Sequence, residues 1–381
     1  MNKLAIQQRR AGFAAFFISG ICAISSGVVV SLLQEEMGFA YGTTGTLLAM
    51  MNIGNLAAGF AVAFLSGSLG MKKSVALLTA GYMIGYGAMA VFSPVVLLMA
   101  AFFLVGIGKG STINTCTILI SDNSKDRTRG MNLMHSCYAL GALLCPFVIS
   151  AASVFAPRLS IAALAVCGGL LWLTFLRTPM GSSRDKKGKG TDWSFLRSGK
   201  FWLLTALIFC QNGTETSVSG WMVTYFKGSG ILTGTLSAYT VTVMWSATLA
   251  ARMLFAFVFP IKRAERAMTI MSAGCLVFYF GLVQADSQWP AILLLFAFAA
   301  FMAGLNPTAV ACAGRMTSVA SMGIMLPVAS SGAILMPWIT GLVADAAGIR
   351  AGMYCNIGTC LGLLLLSAAA WRLWGRGELR D

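Results

Sequence analysis

The chain has 381 residues, of which 57% are hydrophobic and only 10% charged, against roughly 25% charged in soluble domains. With a mean hydropathy of +0.79, it is excluded from the soluble globular class and reads as an integral membrane protein. The formal net charge of +15 would suit nucleic acid, but its placement along the chain excludes that partner.

In chain order, apolar segments predict twelve spans over 11–33, 42–66, 74–93, 95–120, 131–155, 158–176, 201–226, 234–258, 267–285, 288–312, 318–343 and 351–372. Each is near or above the roughly 20 residues that a helix needs to cross the hydrocarbon. The runs are long and continuous and do not alternate with period two, which predicts helices and excludes a barrel. The first run is too long for a signal-peptide core and no A-x-A-like site follows, so it reads as the first span. Of the 27 Lys and Arg residues, Arg158, Lys227 and Arg350 fall on one side and Lys109 and Arg252 inside spans. The remaining 22 share the side of the N-terminus, which predicts both termini in the cytoplasm of an inner membrane. The basic charge is then topological, and its partner is anionic lipid.

The longest polar stretch, RTPMGSSRDKKGKGTDWSFLRSGK, divides the spans six and six. The expected organisation is an N-terminal half at 1–176, a basic cytoplasmic linker at 177–200 and a C-terminal half at 201–381. Trp193 and Phe195 suggest a short amphipathic helix in the linker. The ten cysteines stand singly without C-x-x-C spacing and read as small apolar core residues. No metal-ligand cluster, nucleotide-binding P-loop or G-x-S-x-G is present, so no metal, cofactor or enzymatic activity is expected. Glycines inside spans read as close-packing positions. Pro146, Pro307, Pro327 and Pro337 each free a backbone carbonyl inside a span.

Glu215 is the only one of 12 acids that lies in the middle of an apolar run. A carboxylate at that depth costs at least ~2.5–3.5 kcal/mol on insertion scales and is by default a functional-site candidate. Gln211 and Asn212 lie within a helical turn of it. Lys109 lies at a similar depth in span 4. His135, the single histidine, is a group able to carry a proton near neutral pH, or else a structural interhelical donor.

Several patterns resemble a known family. Span 7 carries NGTETSVSGWMVTY, span 8 MWSATLAARMLF, span 5 RGMNLMHSCYALGALLCPF and span 11 SSGAILMPWITGLVADAAG; spans 4 and 10 add GIGKGSTINT and GLNPT. In this order they resemble the fucose/galactose/glucose:proton symporter family of the major facilitator superfamily. The resemblance implies two six-helix halves that rock about a central site, with spans 1, 4, 7 and 10 lining a cavity. It implies a monomeric secondary transporter of a small polar solute, a sugar or polyol, by proton symport. Glu215 and Lys109 would then face one cavity and pair when it is empty, or form a fixed structural pair. Asn114, Asn306, Gln211, Asn212, His135 and Tyr138 would complete a polyol site. Trp221 and Trp245 are platform candidates, or else core residues. Arg252 matches a position that braces the C-terminal half, and Asp345 reads as a helix-end contact.

The chain departs from the family in its N-terminal half. The loop GSLGMKK keeps Gly70 and a basic pair but lacks the acid and arginine of the superfamily's G-x-x-x-D-R-x-G-R-R. Ser26 and Ile113 stand where the fucose symporter has carboxylates, and Tyr138 where it has a substrate-binding Asn. Glu215 and His135 remain as carriers for a coupled proton. The alternatives are export of drugs or organic ions, uptake of an anionic solute such as a sugar acid on Lys109, and a transporter-like sensor without flux.

Overall fold

The structure is a computed structural model that describes residues 3–124, 127–153, 156–180, 194–232, 234–259, 261, 263–316 and 319–375. Among these residues there is no strand. The helices are α1 (Lys3–Ile24), α2 (Ser26–Met37), α3 (Tyr41–Leu69), α4 (Met71–Val91), α5 (Val95–Asn123), α6 (Arg127–Ser153) and α7 (Pro157–Arg177), then α8 (Gly199–Gly228), α9 (Thr240–Phe257), α10 (Ala264–Gln284), α11 (Gln288–Met302), α12 (Leu305–Met316), α13 (Val319–Ala347) and α14 (Ile349–Gly375). Among the described residues, ten helical runs are long and apolar enough to cross a membrane, counting α1 with α2 and α11 with α12 as one run each. The 30-residue α8 and the 18-residue α9 complete twelve spans. The fold is an all-helical, multi-pass membrane fold.

Two spans predicted as single helices are broken. In span 1 the break falls at Ser25. The Ser25 hydroxyl donates to the Ile21 carbonyl at 2.5 Å and the Ser26 hydroxyl to Ala23 at 3.2 Å. Serines bonding back into the preceding turn bend a helix. In span 10 the break falls at Ala303 and Gly304, just before Pro307, which has no N–H to offer the carbonyl four residues back. Span 8 is shorter than expected, because Gly234–Tyr239 form a 3-10 turn ahead of α9. Residues 181–193, with Trp193 and most of the linker, lie outside the described residues. Beside them Ser194–Arg197 form a single 3-10 turn, with Phe195 packed on Phe201 at 5.1 Å.

The chain divides into two compact units, residues 1–185 and 186–381. Each packs its helices in the same pairs. In the first unit α1 lies on α6, α4 on α7 and on α5, and α3 on α5. In the second α8 lies on α13, α10 on α14 and on α11, and α9 on α11. The α1–α6 and α8–α13 contacts are both glycine approaches. A side chain at Gly141 would run into the Phe17 carbonyl, and one at Gly332 into the Phe209 carbonyl. Small residues let backbones meet where lipid supplies no hydrophobic drive.

Each unit is also tied at the start of its last helix. Arg158 pairs with Glu36 at 2.8 Å and donates to the Ser93 hydroxyl at 2.8 Å. Arg350 pairs with Asp286 at 2.5 Å and reaches the Ala285 carbonyl at 3.5 Å. Each arginine thus holds the loop between the third and fourth spans of its own unit.

Candidate functional site

The polar residues of span 7 converge in the second unit. Gln211 and Glu215 are four residues apart on α8 and so share a face. The Gln211 amide donates to Glu215 Oε2. Gln211 is fully buried and Glu215 half-buried. The other end of the Gln211 amide accepts from Asn306 Nδ2 at 2.6 Å. Asn306 stands at the start of α12, just past the break in span 10. The same Nδ2 donates its second hydrogen to Asn212 Oδ1 at 3.2 Å, and Asn212 Nδ2 donates to the Ala329 carbonyl of α13 at 3.3 Å.

The result is a directional chain of donors. Asn306 gives both amide hydrogens inward, Gln211 passes one on to the carboxylate, and Asn212 anchors the group on α13. The carboxylate accepts a charge-assisted bond, stronger than one between neutral groups. Removing Asn306 or Glu215 leaves the buried Gln211 amide unsatisfied at one end, a loss of ~1–3 kcal/mol. Among the described residues, Glu215 Oε1 and Asn306 Oδ1 take no side-chain donor. Two acceptors on half-buried residues therefore stay open to a hydroxyl or a proton.

Behind this group runs a second polar seam that sequence reasoning missed. Thr214 donates to the Thr359 hydroxyl at 2.7 Å. The Ser217 and Thr340 hydroxyls meet at 3.0 Å, and Asn356 Nδ2 reaches Thr340 at 3.5 Å. All five are buried. Their only signal in the sequence is small polar residues recurring within apolar spans of α8, α13 and α14.

The remaining expected residues fall elsewhere. Trp221 is fully buried and its indole donates to the Pro337 carbonyl at 2.9 Å. The ring is thus enclosed by protein in this structure. Trp245 on α9 is 5% exposed and packs likewise. Arg252 Nε donates to the Ala303 carbonyl at 3.4 Å, at the break in span 10. Asp345 is exposed close to the C-terminal end of α13.

In the first unit, Lys109 is half-buried on α5 and has an interaction of its own. Asn114 lies on the same helix, beside Gly59 of α3. His135 and Tyr138 of α6 flank the Phe16 ring of α1, with centroids at 5.7 and 5.0 Å. Ser26, which stands where the resemblance has a carboxylate, is buried and bonds back across the break to the Ala23 carbonyl of α1. Two buried contacts here join uncharged groups: Ser19 meets the Tyr82 hydroxyl at 2.9 Å, and Tyr86 donates to the Cys22 carbonyl.

Comparisons with known proteins agree on the class. Residues 12–324 match the family model described as Major Facilitator Superfamily. Protein TsgA of Salmonella paratyphi C is 22% identical over 302 residues, 75% of this chain and 74% of the relative. The TsgA homolog of Citrobacter koseri is also 22% identical, over 74% of this chain and 73% of its own. Among solved structures, the nucleoside transporter NupG superposes with a TM-score of 0.72 at 15% identity, over 98% of this chain and 99% of that one. The E.coli fucose:proton symporter FucP gives 0.65 at 13%, over 96% and 98%. A bacterial homolog of the human lysosomal transporter Spinster gives 0.69 at 12%, over 98% and 96%.

Proposed function

Because the chain belongs to the Major Facilitator Superfamily and is a membrane transporter rather than an enzyme, we propose that it moves a small, hydroxyl-rich solute, a sugar or polyol, in symport with a proton. The observation that carries this reading is the Glu215–Gln211–Asn306–Asn212 chain. It sets a carboxylate and three amides on two broken or polar spans of one half. Carboxylates and amides offer paired donors and acceptors that suit vicinal hydroxyls. An ionisable residue inside a membrane span is also, by default, a functional-site candidate of the kind that recurs in proton relays. The likeness to structures of a nucleoside transporter and a fucose:proton symporter supports a hydroxyl-bearing solute.

In this reading the solute hydroxyls take the open acceptors of Glu215 and Asn306, and protonation of Glu215 sets whether the site holds or releases them. The protein works as a monomer in the inner membrane with both termini in the cytoplasm, the side that holds 22 of its 27 basic residues. Lys109 also supports a second reading, an anionic solute such as a sugar acid.

Uptake into proteoliposomes under an imposed proton gradient tests both. Labelled hexoses, polyols, nucleosides and sugar acids are offered in turn. Accumulation of a neutral solute above its outside concentration, lost with the gradient, supports the first reading. Accumulation of only the sugar acids, lost in Lys109→Gln, supports the second. Solute efflux driven by the gradient contradicts import.

A further inference from the structure

Arg252 is a charge inside a span with no part in the polar chain, and the break in span 10 has a backbone group that needs a partner. Pro307 carries no N–H, so the carbonyl four residues before it, that of Ala303, has lost its helical donor. At membrane depth such a carbonyl is tolerated only where protein or a water-filled cavity satisfies it. The guanidinium of Arg252, from α9, donates to this carbonyl through Nε at 3.4 Å. Three residues further on, Asn306 directs both amide hydrogens into the Glu215 group. Gly304, between them, lies against Met271 and Phe255, so a side chain there would have to displace one of them. The bend is therefore held by Arg252 on one side and by packing on the other.

We propose that Arg252 is a positioning residue. Its guanidinium replaces the amide that Pro307 lacks, fixes the angle between α11 and α12, and so keeps Asn306 in register with Gln211 and Glu215. The first unit has a comparable arrangement: near the break at Ser25 the Cys22 carbonyl takes the Tyr86 hydroxyl from α4. In each unit a side chain from another span reaches a carbonyl beside the broken helix, but only in the second is that side chain charged.

The substitution that decides is Pro307→Ala, because it returns the backbone donor. Full-length protein is purified as wild type, Arg252→Gln, Arg252→Lys, Pro307→Ala and the double variant. Two quantities are read: amide hydrogen exchange over residues 304–312, and the infrared carboxyl band of Glu215, identified by subtraction of Glu215→Gln. Arg252→Gln is expected to raise exchange about tenfold, the scale of one lost local hydrogen bond, and to shift the Glu215 band. Arg252→Lys keeps a cationic donor and changes both less. Pro307→Ala with Arg252→Gln is expected to return both to wild type. A shifted band that the second substitution does not correct overturns the proposal, as does a band that Arg252→Gln leaves unmoved. If Arg252→Gln alone yields no folded protein, recovery by Pro307→Ala supports the proposal and failure to recover contradicts it. Neither outcome bears on what Glu215 transports, since no solute is present.

Discussion

The two halves pack alike and differ in their chemistry. The α1–α6 pair of the first and the α8–α13 pair of the second both close on glycines against a backbone carbonyl. Both units clamp the third-to-fourth loop with an arginine at the head of the last helix. Yet in the first unit the Ser19 and Tyr82 hydroxyls meet, while in the second a chain of amides leads to the Glu215 carboxylate. Helix packing constrains small residues and helix ends, so it repeats. The polar groups in the middle of the spans are free of that constraint and differ between the units.

The largest expected effect breaks the chemistry and leaves the packing alone. Glu215→Gln should abolish proton-driven accumulation while leaving thermal unfolding close to wild type, because the amide still takes the Gln211 bond. Next, Gln211→Ala removes the link between Asn306 and Glu215. Losing the bonds to the half-buried Asn306 and Glu215, ~1–3 kcal/mol, should weaken solute binding by roughly 5- to 150-fold, read by titration of the transported solute.

Smaller effects test the shared packing. Gly332→Ala and Gly141→Ala should each destabilise their own half by ~1–3 kcal/mol, the usual range for overpacking, as read in denaturant unfolding. Gly358→Ala, which meets open space, should be silent. Smallest are Arg158→Gln and Arg350→Gln. Partly exposed pairs contribute ~0–1 kcal/mol, so each should lower the unfolding temperature by a few degrees at most, and by similar amounts. A large effect of one and none of the other would end the claim that the clamps are equivalent.

The spans were legible because hydropathy acts over some twenty residues at once and the basic residues sort by side. The grouping of Gln211 and Glu215 was legible because a helix places residues four apart on one face. Asn306 joined them through the recurrence of polar residues in otherwise apolar spans. What the sequence hid depends on contacts between distant segments. Pro307 announced a freed carbonyl, but not that Arg252, from another span, reaches it. Trp221 reads the same in a sequence whether it faces a solute or a carbonyl inside the bundle. The break at Ser25 rests on two hydroxyls folding back on their own helix, a choice that serines in spans make only in some settings.

The central claim is that Glu215 is the proton-responsive member of the solute site. It is tested most directly by comparing wild type and Glu215→Gln in proteoliposomes for two modes, accumulation against a gradient and exchange of solute across equal concentrations. The expected result is that Glu215→Gln keeps measurable exchange and loses accumulation entirely. Accumulation by Glu215→Gln at the wild-type level would contradict it.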